Sequence, residues 1–184
     1  NLVSGIDIGS EKIYCAIGLR FPETSKVKLL GIGIAPVNES FKKGTISNRN
    51  KLINQIEIAV NEAETMADQK INNAYISLTG DHIKSMNTQS AIALNRNNNI
   101  DNNSISQNDI NRVLELTQGI ALPPDRDILH TIPQEYIVDT LKKIANPIGL
   151  SGRRLEGHVH LVTAARTAMK NLVESTEEIG IKVN

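Results

Sequence analysis

The chain has 184 residues, enough for one domain of ordinary size or two small ones, and 40% of them are apolar, enough to bury a core. Its 20 acidic and 20 basic side chains cancel, which sets aside a nucleic-acid binder, since such proteins carry a basic excess. The single cysteine, Cys15, excludes an internal disulfide and fits a reducing compartment; with no basic-then-apolar leader and no apolar run of about 18 residues, the chain is not expected to span a membrane.

Leu2 to Ile8 and Ile13 to Leu19 read as two strands joined by a short turn, with Ile13, Cys15 and Ile17 alternating onto one face. A turn over residues 20–25, holding Pro22, leads to a third strand, Lys26 to Ala35. Gly31 and Gly33 are poor strand formers, and inside this pattern they mark close packing by a neighbour. Such a β-meander is the opposite of the strand–helix alternation of a dinucleotide-binding fold. Leu52, Ile56, Ala59, Ala63 and Met66 then recur at three- and four-residue spacing and predict a helix from about Asn50 to Lys70. Ser47, Asn48 and Asn50 are its candidate N-caps. Asn72 and Asn73 break the pattern, and Ala74 to Thr79 reads as a short strand before Gly80.

The character changes after Gly80. Asp81 to Leu94 is a polar, weakly alternating strand, and the asparagine-rich run from Asn95 to Asn103 reads as a solvated loop. Ser106 heads a helix whose capping box is closed by Asp109 and whose face is Ile110, Val113, Leu114 and Thr117; Pro123-Pro124 stops it. Asp127 to Asp139 reads as a strand in which Pro133 implies a bulge or an edge. Residues 146–152, with Pro147, Gly149 and Gly152, form a loop, and Arg154 to Ala164 is a further strand. The stretch 81–160 is thus strand, helix, strand, strand, and is expected to form a separate module between 1–80 and 161–184. A last helix, Thr167 to Ile179, shows Met169, Leu172, Val173 and Thr176 on one face, with Gly180 placed for a left-handed cap. Both ends read as cut: residue 1 is Asn, and Gly180 to Asn184 reads as a helix stop followed by half a strand.

The chemistry concentrates in Asp7-Ile8-Gly9-Ser10-Glu11-Lys12. Successive amides in a tight turn make a concave anion site. Gly9 lets the backbone approach a phosphate, Ser10 adds a hydroxyl donor and Lys12 a positive charge. Asp7 repels a phosphate but can hold a hydrated Mg²⁺ beside one, which accounts for an acid in an apolar strand; a plain hairpin needs the turn without the acid. Neither the G-x-x-x-x-G-K-[ST] loop nor G-x-G-x-x-G is present. His158 and His160 share a strand face, as metal ligands would, but lack a third ligand and read as ordinary strand positions. Cys15, on the apolar face of its strand, reads as a buried small hydrophobe. Arg153-Arg154 and Lys142-Lys143 read as solvated charges, and no Ser–His–Asp spacing is evident.

The opening hairpin resembles the first phosphate loop of the actin, heat-shock-chaperone and sugar-kinase superfamily. Three further stretches, AYISLTGDH (Ala74–His82), HTIPQEYIVD (His130–Asp139) and NPIGLSGRR (Asn146–Arg154), are similar to the FtsA family of bacterial cell-division proteins. The match runs in order over nearly the whole chain. It implies an α/β (α+β) fold: an actin-like, ribonuclease H-like subdomain over 1–80 and 161–184, left incomplete, with an inserted SHS2-like subdomain over 81–160. It implies ATP and Mg²⁺ as cofactors, bound at Asp7, Gly9, Ser10, Glu11 and Lys12, with Asp7 holding the metal through water. It further implies self-association into an actin-like filament and contacts of 81–160 with other divisome proteins, for which Arg153 and Arg154 are candidates.

The same resemblance puts the contact to the tubulin-like FtsZ, and a membrane-binding C-terminal helix, in parts of the family's sequence later than residue 184. Such a protein works at the septum, on the cytoplasmic side of the inner membrane, linking the Z-ring to it. At most weak ATPase activity is implied for the full-length protein, and none for this stretch alone. Two other readings stay open: a sugar-kinase-like phosphotransferase with the same hairpin, which needs a sugar pocket and a catalytic acid, and an interaction scaffold with a decayed nucleotide site, against which Asp7, Gly9, Ser10 and Lys12 all speak.

Overall fold

The computed structural model describes residues 1–184 except 25, 95–103 and 120–121, so the asparagine-rich loop and part of the 20–25 turn lie outside the described residues. In chain order the elements are β1 (Leu2–Ile8), β2 (Lys12–Phe21), β3 (Lys26–Pro36), β4 (Phe41–Lys42), β5 (Thr45–Ile46), α1 (Arg49–Ala67), β6 (Asn73–Ile76), β7 (Lys84–Ala93), α2 (Gln107–Gln118), β8 (Arg126–Val138), β9 (Leu141–Ile144), β10 (Arg154–Ala165), α3 (Arg166–Glu177) and β11 (Lys182–Val183). They form two compact units, Asn1–His82 with Arg166–Asn184, and Ile83–Ala165.

The first unit is built on a five-stranded sheet of order β11-β6-β1-β2-β3. β1, β2 and β3 are antiparallel neighbours, as the meander pattern predicts, while β6 and β11 run parallel to β1. Parallel pairing cannot be closed by a tight turn, and α1 supplies the crossover from β3 to β6. Asn48 is the N-cap of α1, its side chain accepting from the Lys51 amide. The helix lays Leu52, Ile56, Ala59 and Ala63 onto Ile6, Ile13, Cys15 and Ile17 of the sheet, all of them buried. Each isoleucine or leucine so buried stabilises the fold by about 1.5–3 kcal/mol.

The glycines of β3 explain how close α1 comes. A Cβ at Gly33 would lie 1.8 Å from the Ala59 carbonyl oxygen, and one at Gly31 would lie 2.3 Å from that of Ala63. Two edge amides of β3 are also taken up by the helix: Ile34 N–H donates to Glu62 Oε2 at 2.7 Å and Ile32 N–H to Met66 Sδ at 3.3 Å. The Cys15 thiol sits fully buried in this core, and burial, helped by the negative Glu64, pushes its pKa up to about 11.

The second unit is an antiparallel sheet of order β7-β10-β8-β9 with α2 packed on it. Ser106 and Asp109 form the expected capping box, with donors satisfied in both directions. Ile110 and Val113 of α2 meet Ile92, Tyr136, Val138 and Leu155 in a separate core, where burial raises the Tyr136 phenol. Pro133 stands opposite Val159, at a shift of register between His158 and Val159, so its missing N–H falls at a bulge. β9 was not expected: Leu141 to Ile144 is short and carries Lys142 and Lys143, which read as solvated charge. The strand, helix, strand, strand order therefore gains one edge strand. The 41–46 hairpin is likewise absent from any sequence pattern.

Candidate functional site

β1 alternates. Ile6 and Ile8 point into the core, and Asp7 lies exposed on the opposite sheet face, across from Tyr14 of β2. The strand looks buried in sequence because one of its faces is. Parallel pairing of β6 with β1 brings Ser77, just past the end of β6, beside Asp7. The Ser77 hydroxyl donates to Asp7 Oδ1 at 2.5 Å and accepts from the Ile8 N–H at 3.2 Å, while the Ser77 N–H donates to the Ile6 carbonyl at 2.9 Å. One carboxylate oxygen is thereby oriented and the other is left for a further ligand. A shallow depression of about 380 Å³ beside it is lined by Gly5, Asp7, Tyr14, Tyr75 and Ser77 among others.

The β1–β2 turn is held from three sides. Gly9 N–H donates to the Lys12 carbonyl at 3.0 Å, and Val37 N–H donates to the Glu11 carbonyl at 2.9 Å. The Lys43 amide, in the 41–46 hairpin, donates to Ser10 Oγ at 3.0 Å. The Gly9 amide is therefore committed inside the turn, and a Cβ on Gly9 would stand 3.0 Å from the Lys12 carbonyl oxygen. The amides of Ser10 and Glu11 make no bond within the described residues, and the Ser10 hydroxyl keeps its own proton to give. Lys12 is exposed beside them.

A third loop completes the cluster. Asp81 N–H donates to the Lys43 carbonyl at 3.2 Å. Gly80 and Gly44 adopt φ of +144° and +86°, and a Cβ at Gly80 would lie 2.5 Å from Gly44 Cα. Only glycine allows this approach at these angles. The residues 9–12, 43–44 and 77–82 thus gather at the C-terminal ends of the parallel strands β1 and β6, where α/β sheets bind ligands. Sequence reasoning found Asp7, Gly9, Ser10, Glu11 and Lys12 but missed Ser77 and Lys43. The only available signal was Ser77 in a short apolar strand, a place where a hydroxyl needs a partner.

In the second unit, His158 and His160 do share a face, each with partners of its own. His158 Nε2 lies 2.9 Å from Glu156 Oε1 and Nδ1 lies 3.3 Å from Glu135 Oε1, and His160 Nδ1 meets Asn87 Oδ1 at 2.7 Å. Among the described residues no group of three or more histidine, cysteine or carboxylate side chains could hold a metal ion. A cavity of about 470 Å³ opens on this face between Asn87, Gln89, Gln134, Glu135 and His158. The amides of Arg153 and Arg154 both donate to the Asp139 carboxylate. The Arg154 guanidinium reaches Glu156 at 2.7 Å, whereas that of Arg153 is exposed and without a partner among the described residues. No helix of the described residues is long and apolar enough to cross a membrane.

Residues 80–163 match the family model of the SHS2 domain inserted in FtsA. The chain is 36% identical over 180 residues to the cell division protein FtsA of Neisseria meningitidis serogroup B, covering 98% of this chain and 42% of that protein. It is 32% identical over 183 residues to the FtsA proteins of Pseudomonas aeruginosa and Escherichia coli K12, covering 100% of this chain and 42% of each. The chain thus spans well under half the length of these curated relatives. Among solved structures it is similar to the PilM-PilN type IV pilus biogenesis complex, with a TM-score of 0.65 at 14% identity over 98% of this chain and 45% of that one. That likeness establishes the actin-like α/β fold.

Proposed function

The chain belongs to the FtsA family of actin-like cell-division proteins, and from that premise we propose that its first unit supplies one wall of a Mg²⁺–ATP site. One observation carries this reading: the unbonded amides of Ser10 and Glu11 stand in the same hairpin as a carboxylate that Ser77 holds in place. The residues fit the cofactor. The Ser10 and Glu11 amides, the Ser10 hydroxyl and the Lys12 ammonium are donors for the outer phosphates, and Gly9 keeps the turn tight. Asp7, with one oxygen free, would hold the hydrated metal ion, whose charge offsets that of the phosphates. Following the family resemblance, we assign at most weak ATP hydrolysis to the complete protein.

The rest of the reading follows the family. The second unit serves protein contacts, in self-assembly into an actin-like filament and with other divisome proteins, with the exposed guanidinium of Arg153 as a contact group. The complete protein acts at the septum on the cytoplasmic face of the inner membrane. It links the FtsZ ring to that membrane through segments equivalent to the relatives' remaining length. In the complete protein, Asp7→Ala should weaken Mg²⁺–ATP binding about tenfold or more, by calorimetry, with the fold checked by circular dichroism. Unchanged affinity in a folded variant would remove the site. The 184-residue chain alone, offering one wall of a cleft, should bind ATP far more weakly than the complete protein.

A further inference from the structure

A sheet edge presents unpaired amides and carbonyls to any strand that can reach them, and proteins normally blunt such edges. The edges formed by β3 and β9 are blunted. β3 gives the Ile32 and Ile34 amides to Met66 and Glu62 of α1 and carries Lys26 and Lys28. β9 has four residues, two of them lysines, and Lys143 bends it with φ of 59°.

β7 has none of these devices. It ends the order of its sheet, and it pairs with β10 through ten successive residues, Lys84↔Thr163 to Ala93↔Arg154, without a shift of register. It holds no proline and no glycine, and its single charge, Lys84, stands at its end. Seven of its ten residues are exposed. Among the described residues no backbone N–H of Lys84–Ala93 donates outside the β10 ladder.

We infer that β7 is a self-association edge, through which two copies of this chain pair antiparallel about a two-fold axis centred on Gln89. The occupant is argued from the side chains. A two-fold axis normal to the sheet sets residues of one face opposite residues of the same face, so opposed residue numbers differ by an even number. Centred on Gln89, the register pairs residues 85–93 with themselves. Met86, a large exposed apolar side chain, then stands opposite Ile92 of the other copy, at the rim of the core that buries Ile92. Thr88, whose hydroxyl has no partner within the described residues, faces Ser90, whose Oγ donates to the Val113 carbonyl and can still accept. Asn87 faces Ala91, Ser85 faces Ala93, and Gln89 faces itself, amide to amide. No charge is opposed or buried. The alternative centred on Thr88 sets Lys84 against Ile92 and Met86 against Ser90, losing both the apolar pair and the hydroxyl pair. A self-complementary register of this kind is a property of a second copy, not of an arbitrary peptide.

The inference rests on the reading of this unit as a protein-contact element and names its surface; the nucleotide hairpin plays no part in it. Across an antiparallel pair, facing Cα atoms are about 4.5–5.5 Å apart, within disulfide reach. Cys15 is fully buried, so a thiol introduced on β7 is the reactive one in the 184-residue chain. Under mild oxidation Gln89→Cys should give a covalent dimer. Ser85→Cys alone should not, and an equal mixture of Ser85→Cys and Ala93→Cys should. Gln89→Lys, which sets two ammonium groups face to face at an exposed position, should raise the dimer dissociation constant about tenfold or more in sedimentation equilibrium. A Gln89→Cys chain that stays monomeric under oxidation overturns the inference, and so does a dimer that Gln89→Lys leaves intact. If Arg153→Glu abolishes assembly while Gln89→Lys does not, the contact role of the unit stands and the β7 edge falls.

Discussion

Ser77 shows how one hydroxyl converts an exposed carboxylate into an oriented one. Its oxygen accepts from the Ile8 amide and its proton goes to Asp7, so its rotamer is fixed by the strand it serves. Asp7 is solvent-exposed, and the bond adds only modestly to folding; its consequence is for binding, where a wandering carboxylate would have to be ordered first. In the complete protein Ser77→Ala should therefore cost about tenfold in Mg²⁺-dependent ATP affinity and little in Mg²⁺-free affinity, while Ser77→Thr restores the hydroxyl and most of the binding. Calorimetry with and without Mg²⁺ separates the two. Equal losses in both would make Ser77 a structural residue with no bearing on the metal. Lys43 acts on Ser10 through its amide, so the charge of its side chain plays no part in that bond.

At the scale of elements, the contact between α1 and β3 decides the stability of the first unit. With the Ala59 and Ala63 carbonyls lying over Gly33 and Gly31, the helix rests against bare backbone. Gly33→Ala should lower the stability of the 184-residue chain by about 3 kcal/mol, since overpacking a tight interface costs about 1–3 kcal/mol and here the obstacle is helix backbone. Gly5→Ala is the matched control: its Cβ would meet nothing closer than the Tyr75 carbonyl oxygen at 3.9 Å, so the change should stay within about 0.5 kcal/mol. Urea midpoints compare the two directly, and equal midpoints would mean that α1 gives way freely. Both glycines sit in strands of the same sheet, so strand propensity alone does not separate them.

For the molecule as a whole, the division of roles between units is the testable matter. The hairpin proposed to bind phosphate belongs to the first unit and Arg153 to the second. Reversing both Arg153 and Arg154 would also set a carboxylate against Glu156, which Arg154 now neutralises. Arg153→Glu is the cleaner change. In the complete protein it should impair filament sedimentation or partner contact while leaving Mg²⁺–ATP affinity unchanged. Loss of ATP affinity with every protein contact intact would reverse the assignment.

What the amino-acid sequence determined by itself is what lies close along the chain. The β1–β2 hairpin, the Ser106–Asp109 capping box, the α1 stripe and the left-handed Gly180 depend on neighbours within a few residues, where periodicity and cap chemistry act directly. The paired glycines of β3 announced a close neighbour without saying which. Three stretches of sequence carried the family. Only the tertiary structure decided which groups meet Asp7 and Ser10. Ser77 is 70 residues from Asp7, and Lys43 is 33 from Ser10. These meetings depend on β6 lying parallel to β1 and on a two-stranded hairpin too short to leave a pattern. The edge strand β9 was hidden for the opposite reason: an edge is protected by the same lysines that make it read as solvated charge. Local preference writes the elements, and long-range pairing, which no short window contains, brings the candidate site together.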